Sequence, residues 1–179
     1  MASRPLIILA AALVAAGCAS GTPPAPTYRT LVVDDQGALK TTTLPAAKLT
    51  VAAPLATVWN ALGLAYDAIG VELTLVDPPA HRAGSVSFIR RGTMNGEPVS
   101  HFANCGSGMT GPIADARRVY FSAITTATAV DATHTQLMTD VHAFAVDVSG
   151  SSNDRVECGS TGALEQLLYK ALEQRLGTH

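Results

Sequence analysis

"RRVYFSAITTATAVDATHTQLMTDVHAFAVDV", residues 117–148, decides how the rest of the chain is read. β-Branched and aromatic residues fill 117–130, turn-forming side chains follow at 131–134, and 135–148 returns with apolar residues at every second position. Side chains with two heavy atoms on Cβ fit a pleated strand, so the stretch predicts one long antiparallel hairpin. Its period of two gives one apolar face and one wetter face. An apolar sheet face needs a cover, and the chain supplies one at its C-terminal end.

That cover is "TGALEQLLYKALEQRL", residues 161–176. Leu164, Leu167, Leu168, Ala171, Leu172 and Leu176 fall on one helical stripe, with Gln166, Lys170, Glu173 and Gln174 opposite. Upstream, two β-rich runs within 28–44 flank Asp34-Asp35-Gln36-Gly37, a hairpin signal, and 47–51 ("AKLTV") reads as a third strand. Pro54 then opens a helix whose apolar face is Leu55, Val58, Trp59, Leu62, Tyr66 and Ile69. Gly70 suits a left-handed cap, and Gly63 inside the helix costs about 1 kcal/mol against alanine. Residues 71–77 and 85–91 read as two strands joined by a Pro-rich turn, and 92–115, rich in Gly, Asn and Pro, has no period and reads as a long excursion. Strands and helices segregated in this way predict an α+β fold. In it a curved antiparallel sheet packs against the C-terminal helix, with one further helix after the N-terminal strands.

The first residues concern address rather than fold. Arg4, the apolar run at 6–16 and Gly17-Cys18 read as a secretory signal, and the run is too short to span a bilayer, which takes about 20 residues. "VAAGC" resembles the lipobox of bacterial lipoproteins, in which the cysteine is acylated and becomes the first mature residue. The expected organisation is a signal peptide at 1–17, lipidated Cys18 and a Pro-rich tether at 18–27, and a single α+β domain at 28–179. Ala19 after the cysteine resembles the sorting signal for the outer membrane, which places the domain in the periplasm. Twelve basic against fourteen acidic residues leave no basic surplus for nucleic acid.

With Cys18 committed to lipid, Cys105 and Cys158 remain as an exported pair, and a disulfide between them is expected. Glycine follows each sulfur, which predicts a sharp turn beside both. The alternative, a catalytic thiol, needs His101 or His142 within hydrogen-bond reach.

Other chemical motifs are weak. Gly106, Gly108 and Gly111 spell G-x-G-x-x-G, but Pro112 and a β-rich segment follow where a phosphate-binding helix is required, so neither nucleotide nor other cofactor is expected. Five histidines show no metal-ligand spacing, and no metal is expected. Asp140 and His142 share one face of a strand, read as polar residues on its wet side rather than a dyad. Arg90-Arg91 and Arg117-Arg118 flank the excursion; they read by default as solvated strand ends and are the candidates to receive a partner's carboxylates or a phosphate. Trp59 and Tyr66 are core residues by spacing, and with Phe121 they are the candidate lining of any ligand cavity.

The element order resembles a helix-grip fold. Together with the lipobox, residues 51–77 and the "CG…CGSTG" cysteine frame (Cys105, Gly106, Cys158 to Gly162), it resembles uncharacterised bacterial envelope lipoproteins with a single BamC-like domain. BamC-type proteins carry two such domains and a long unstructured arm, whereas this chain has room for one, and no functional residue carries over. The expectation is a non-enzymatic accessory or structural subunit that contacts another membrane or periplasmic protein. The alternative is a helix-grip lipoprotein that binds a small apolar ligand or lipid.

Overall fold

The computed structural model describes residues 27–33, 39–45, 48–147 and 155–177, the first two segments as backbone only. The expected signal peptide, Cys18 and the tether as far as residue 26 lie outside the described residues.

In chain order the elements are β1 (Thr27–Val33), β2 (Leu39–Pro45), β3 (Lys48–Val51), α1 (Leu55–Ala68), β4 (Leu75–Asp77) and β5 (Arg82–Arg91). The short segments β6 (Thr93–Met94), β7 (Glu97–Pro98), a 3-10 turn (Val99–His101), β8 (Ala103–Asn104), β9 (Ser107–Gly108), β10 (Gly111–Pro112) and α2 (Ile113–Ala116) follow. The chain continues through β11 (Arg118–Ala129), β12 (Thr135–Val146), β13 (Arg155–Ser160) and α3 (Ala163–Leu176). The fold is α+β, an open antiparallel sheet of nine strands covered by helices. Its main path runs β7-β6-β5-β11-β12-β13-β8, with β4 on β5 and β3 on β12.

The long hairpin is the centre of the sheet, with β11 and β12 paired from Arg118↔Val146 to Ala129↔Thr135. Its turn is held by Asp131, whose Oδ1 accepts the Thr133 and His134 N–H groups at 2.7 and 2.8 Å. The Thr133 N–H, the His134 ring and the Thr133 hydroxyl hold the Asp131 carboxyl down at about 2. Alternation sorts the two faces as the sequence predicts. Val119, Phe121, Ala123, Thr125 and Ala127 of β11 and Leu137, Thr139, Val141, Ala143 and Ala145 of β12 are buried. The helices lie on that face, α1 through Val58, Leu62 and Tyr66 and α3 through Leu164, Leu168 and Leu172, packed side by side.

Polar groups inside this layer are paired. The Tyr66 hydroxyl donates to the Ala123 carbonyl at 3.2 Å and shares a hydrogen bond of 2.8 Å with Thr125, which in turn meets Thr139 at 2.8 Å. Two strands divide one edge of β12: β3 pairs with 135–138 and β13 with 143–146. The gap between them is filled from α3 by Tyr169, hydrogen-bonded to the Thr139 backbone and hydroxyl. A side chain thereby satisfies backbone that no neighbouring strand reaches.

On the other side of β11, Phe88 opposes Phe121 while Ser85 opposes Ala123, so β5 carries one extra residue. Such a bulge bends its strand and curves the sheet. Next to it Gly84 lies so close to β11 that a Cβ there would sit 2.1 Å from the Ala123 carbonyl oxygen.

Three expectations change in detail. Cys158-Gly159-Ser160, expected in a turn, is extended strand β13, because Gly159 and Ser160 pair with Asn104 and Ala103 of β8. Only Gly106 of the two sulfur-flanking glycines needs the left-handed region, at φ 80°. Of residues 71–77 only 75–77 form strand: the Val71 N–H turns back to the Tyr66 carbonyl at 3.0 Å, so the chain leaves α1 before it reaches β5. The excursion at 92–115 is built from short paired segments rather than irregular loop.

Cys105 and Cys158 form a disulfide, S–S 2.00 Å, one step along the β8–β13 register. It ties the excursion to the sheet edge. Among the described residues no helix is long and apolar enough to cross a membrane.

Candidate functional site

Helices cover one face of the sheet, and the even-numbered residues of β11 and β12 line the other. Register sets them in cross-strand rows. One row runs Ile89, Tyr120, Phe144, Glu157 across β5, β11, β12 and β13, and the next runs Arg91, Arg118, Val146, Arg155. Residues directly opposite in an antiparallel sheet share a face at short distance. The Tyr120 and Phe144 rings stack with centroids 4.9 Å apart and planes 3° from parallel. The Arg155 guanidinium lies 3.7 Å over the Phe144 ring and its Nε donates to the Glu157 carboxylate. The result is an aromatic platform, half-buried and helix-free, with guanidinium groups along one border.

The bulge and the strand alternation split the two arginine doublets, which sequence reading treated alike. Arg90 points to the helix side, where Nη2 donates to the Gly70 carbonyl just past α1 and the guanidinium lies 5.0 Å from the Phe88 ring. Its partial burial lowers its pKa. Arg117 pairs with Asp147 at 3.7 Å. Those two are occupied in holding the fold. Arg91 and Arg118, both exposed, are brought directly opposite each other on the platform side. Like charges placed so repel, and no ion pair among the described residues offsets them.

The candidate lining residues lie elsewhere. Tyr66 and Phe121 are buried in the core on the helix side, with Phe121 stacked on Phe88 at 5.3 Å. Trp59 is partly buried, edge-on to the His81 ring at 5.5 Å. An open depression of about 420 Å³ does lie beside α1, but its lining is Gly63, Asp67, Gly70, Val71, Glu72 and Leu73, none of the three aromatic residues.

Asp140 and His142 stand on the helix-free face, Oδ1 to Nε2 3.0 Å, and Ser122 is directly opposite His142. These are the residue types of a hydrolytic triad, yet the histidine is 70% exposed and the carboxylate 44%. Acyl transfer needs fixed donors aimed at a developing oxyanion inside a site that excludes water. Both side chains stand largely in solvent on that face. His101 packs edge-on against Phe102 at 5.0 Å, and neither it nor His142 serves a thiol, since both Cys105 and Cys158 are bonded. No cluster of three or more metal-ligating residues occurs among the described residues.

At the N-terminus of α3, Glu165 is 6% exposed and accepts the Ser160 hydroxyl at 2.8 and 3.1 Å. Burial raises its pKa, and the Asp140 charge adds to the effect. Ser160 also accepts the Gly162 N–H at 3.1 Å, so this cluster closes on itself as a cap for the helix.

No family model, curated protein or solved structure matches this chain.

Proposed function

We propose that the chain is a lipid-anchored protein of the bacterial envelope, held by Cys18. Its domain acts as a non-enzymatic accessory subunit on another membrane or periplasmic protein. The observation that carries the reading is the helix-free face. Ile89, Tyr120, Phe144 and Val146 form a continuous apolar and aromatic strip on the sheet, while the opposite face is filled by side chains packed beneath the helices. Aromatic residues and arginine on one surface are the composition of protein interfaces. A disulfide at the sheet edge suits an oxidising compartment, and the lipobox-like "VAAGC" supplies the address. The resemblance to BamC-like envelope lipoproteins agrees with such a role and contributes no residue to it.

Native mass spectrometry of the lipidated protein, extracted from its own membranes in mild detergent, tests the reading. A stoichiometric second polypeptide supports it. A bare acylated monomer, or a monomer that retains only a small bound molecule, refutes it.

A further inference from the structure

Building on the protein-partner reading, we infer that the Arg91–Arg118 pair and the adjoining Tyr120–Phe144 platform dock an acidic segment of the partner, with carboxylates on the guanidinium groups and apolar side chains on the rings.

The argument begins from what the fold tolerates. Arg91 and Arg118 are directly opposed across β5 and β11, on the wet face, with no carboxylate among the described residues in ion-pair reach. The acids nearest in the register are already engaged: Glu157 bonds Arg155, and Asp147 bonds Arg117. Two guanidinium groups held side by side lose stability to repulsion, and an incoming carboxylate removes it. Planar guanidinium groups receive carboxylates through two parallel N–H···O bonds, which fixes orientation as well as charge.

The second half of the surface selects the occupant. Ile89 and Tyr120 lie one row away from the arginine pair, and Phe144 and Val146 continue the two rows on β12. A free anion or a lipid headgroup would satisfy the arginines and leave the rings wet. An extended segment with an acidic side chain at one position and an apolar side chain two residues on presents both to the same face and satisfies both. The platform is rigid because its residues sit on paired strands, so little ordering is lost on docking.

The test places a photo-reactive phenylalanine analogue at Ser122, between Tyr120 and Ile124 on the same face, in the full lipidated chain inside the cells that make it. After irradiation the adduct is digested and the captured peptide sequenced. The expected result is a peptide rich in Asp and Glu, with adduct yield falling roughly tenfold or more in Arg91→Glu/Arg118→Glu, as when charge-assisted pairs become repulsive. The single variant Arg118→Glu sets a carboxylate opposite Arg91. It is expected to melt at or above the wild-type temperature while also losing the adduct, which a merely structural role for the pair would not produce.

A captured peptide without carboxylates, or a yield unchanged in the double variant, overturns the acidic-segment inference and leaves the accessory-subunit reading standing. Absence of any protein adduct overturns both. In that case arginine-dependent flotation on phosphatidylglycerol vesicles would reassign the patch to an anionic membrane surface.

Discussion

Two glycines, both candidates for alanine, should respond with opposite signs. At Gly84 a Cβ would sit 2.1 Å from the Ala123 carbonyl oxygen and 2.7 Å from the Ile124 Cα, both backbone atoms in the centre of the sheet. Ordinary van der Waals contact begins at 3.4 Å, so relief requires β5 to withdraw from β11 by about 1 Å. That movement breaks the hydrogen bonds of the β5–β11 ladder on either side of Gly84↔Ile124. Two or three lost hydrogen bonds at about 1 kcal/mol each give a destabilisation of about 2–4 kcal/mol. At Gly63 the added Cβ meets only Leu73 Cδ1, at 3.4 Å, the far end of a side chain that can shift. There the helix gains up to about 1 kcal/mol of propensity, and the expected change lies between neutral and stabilising. Urea unfolding of both variants beside wild type, followed by circular dichroism, measures the difference. If Gly84→Ala unfolds within about 0.5 kcal/mol of wild type, the close approach of β5 to β11 is wrong, together with the bulge that produces it.

Tyr66→Phe removes a hydroxyl that joins Ala123 and Thr125 inside the core, and should cost about 1–3 kcal/mol in the same assay. The matching change at Tyr169 reopens the gap in the β12 edge, and should show first as faster amide exchange at Thr139. Glu165 has a raised pKa in the fold, so its contribution is fully present below the ordinary value of 4.5 and is lost as pH rises through the folded value. Glu165→Gln, which still accepts the Ser160 hydroxyl, should therefore be the more stable protein at neutral pH, its advantage vanishing in acid. Replacing both Cys105 and Cys158 by alanine opens a loop of sequence separation 53, which the chain-entropy relation puts at about 4 kcal/mol. An unfolding midpoint unaffected by reduction of the wild-type protein would show that the bond does not form in solution.

The sequence alone determined the elements whose signal is local. The period of two at 117–148 and the leucine stripe at 161–176 each follow from which face of a strand or helix must be dry, so β11, β12 and α3 begin and end within two residues of their predicted limits. The turn at 131–134 and the left-handed Gly70, φ 67°, are equally local, since each depends on one residue's own geometry. Cysteine arithmetic paired Cys105 with Cys158 for a reason of compartment rather than distance.

Only the tertiary structure decided what depends on a neighbour far away in sequence. β13 was hidden because "RVECGS" becomes a strand through the free edges of β12 and β8, and the glycine in it reads locally as a turn. Nothing near Gly84 in sequence announces the carbonyl that approaches it from 39 residues downstream. Tyr169 looked like one more residue of a helix until the gap between β3 and β13 gave its hydroxyl a backbone to satisfy. The candidate site shows the same division. Sequence marked four arginines as equivalent, and strand alternation with one bulge turned Arg90 toward α1, left Arg117 beside Asp147, and set Arg91 against Arg118. Register is a property of two strands together, and so is the surface it builds.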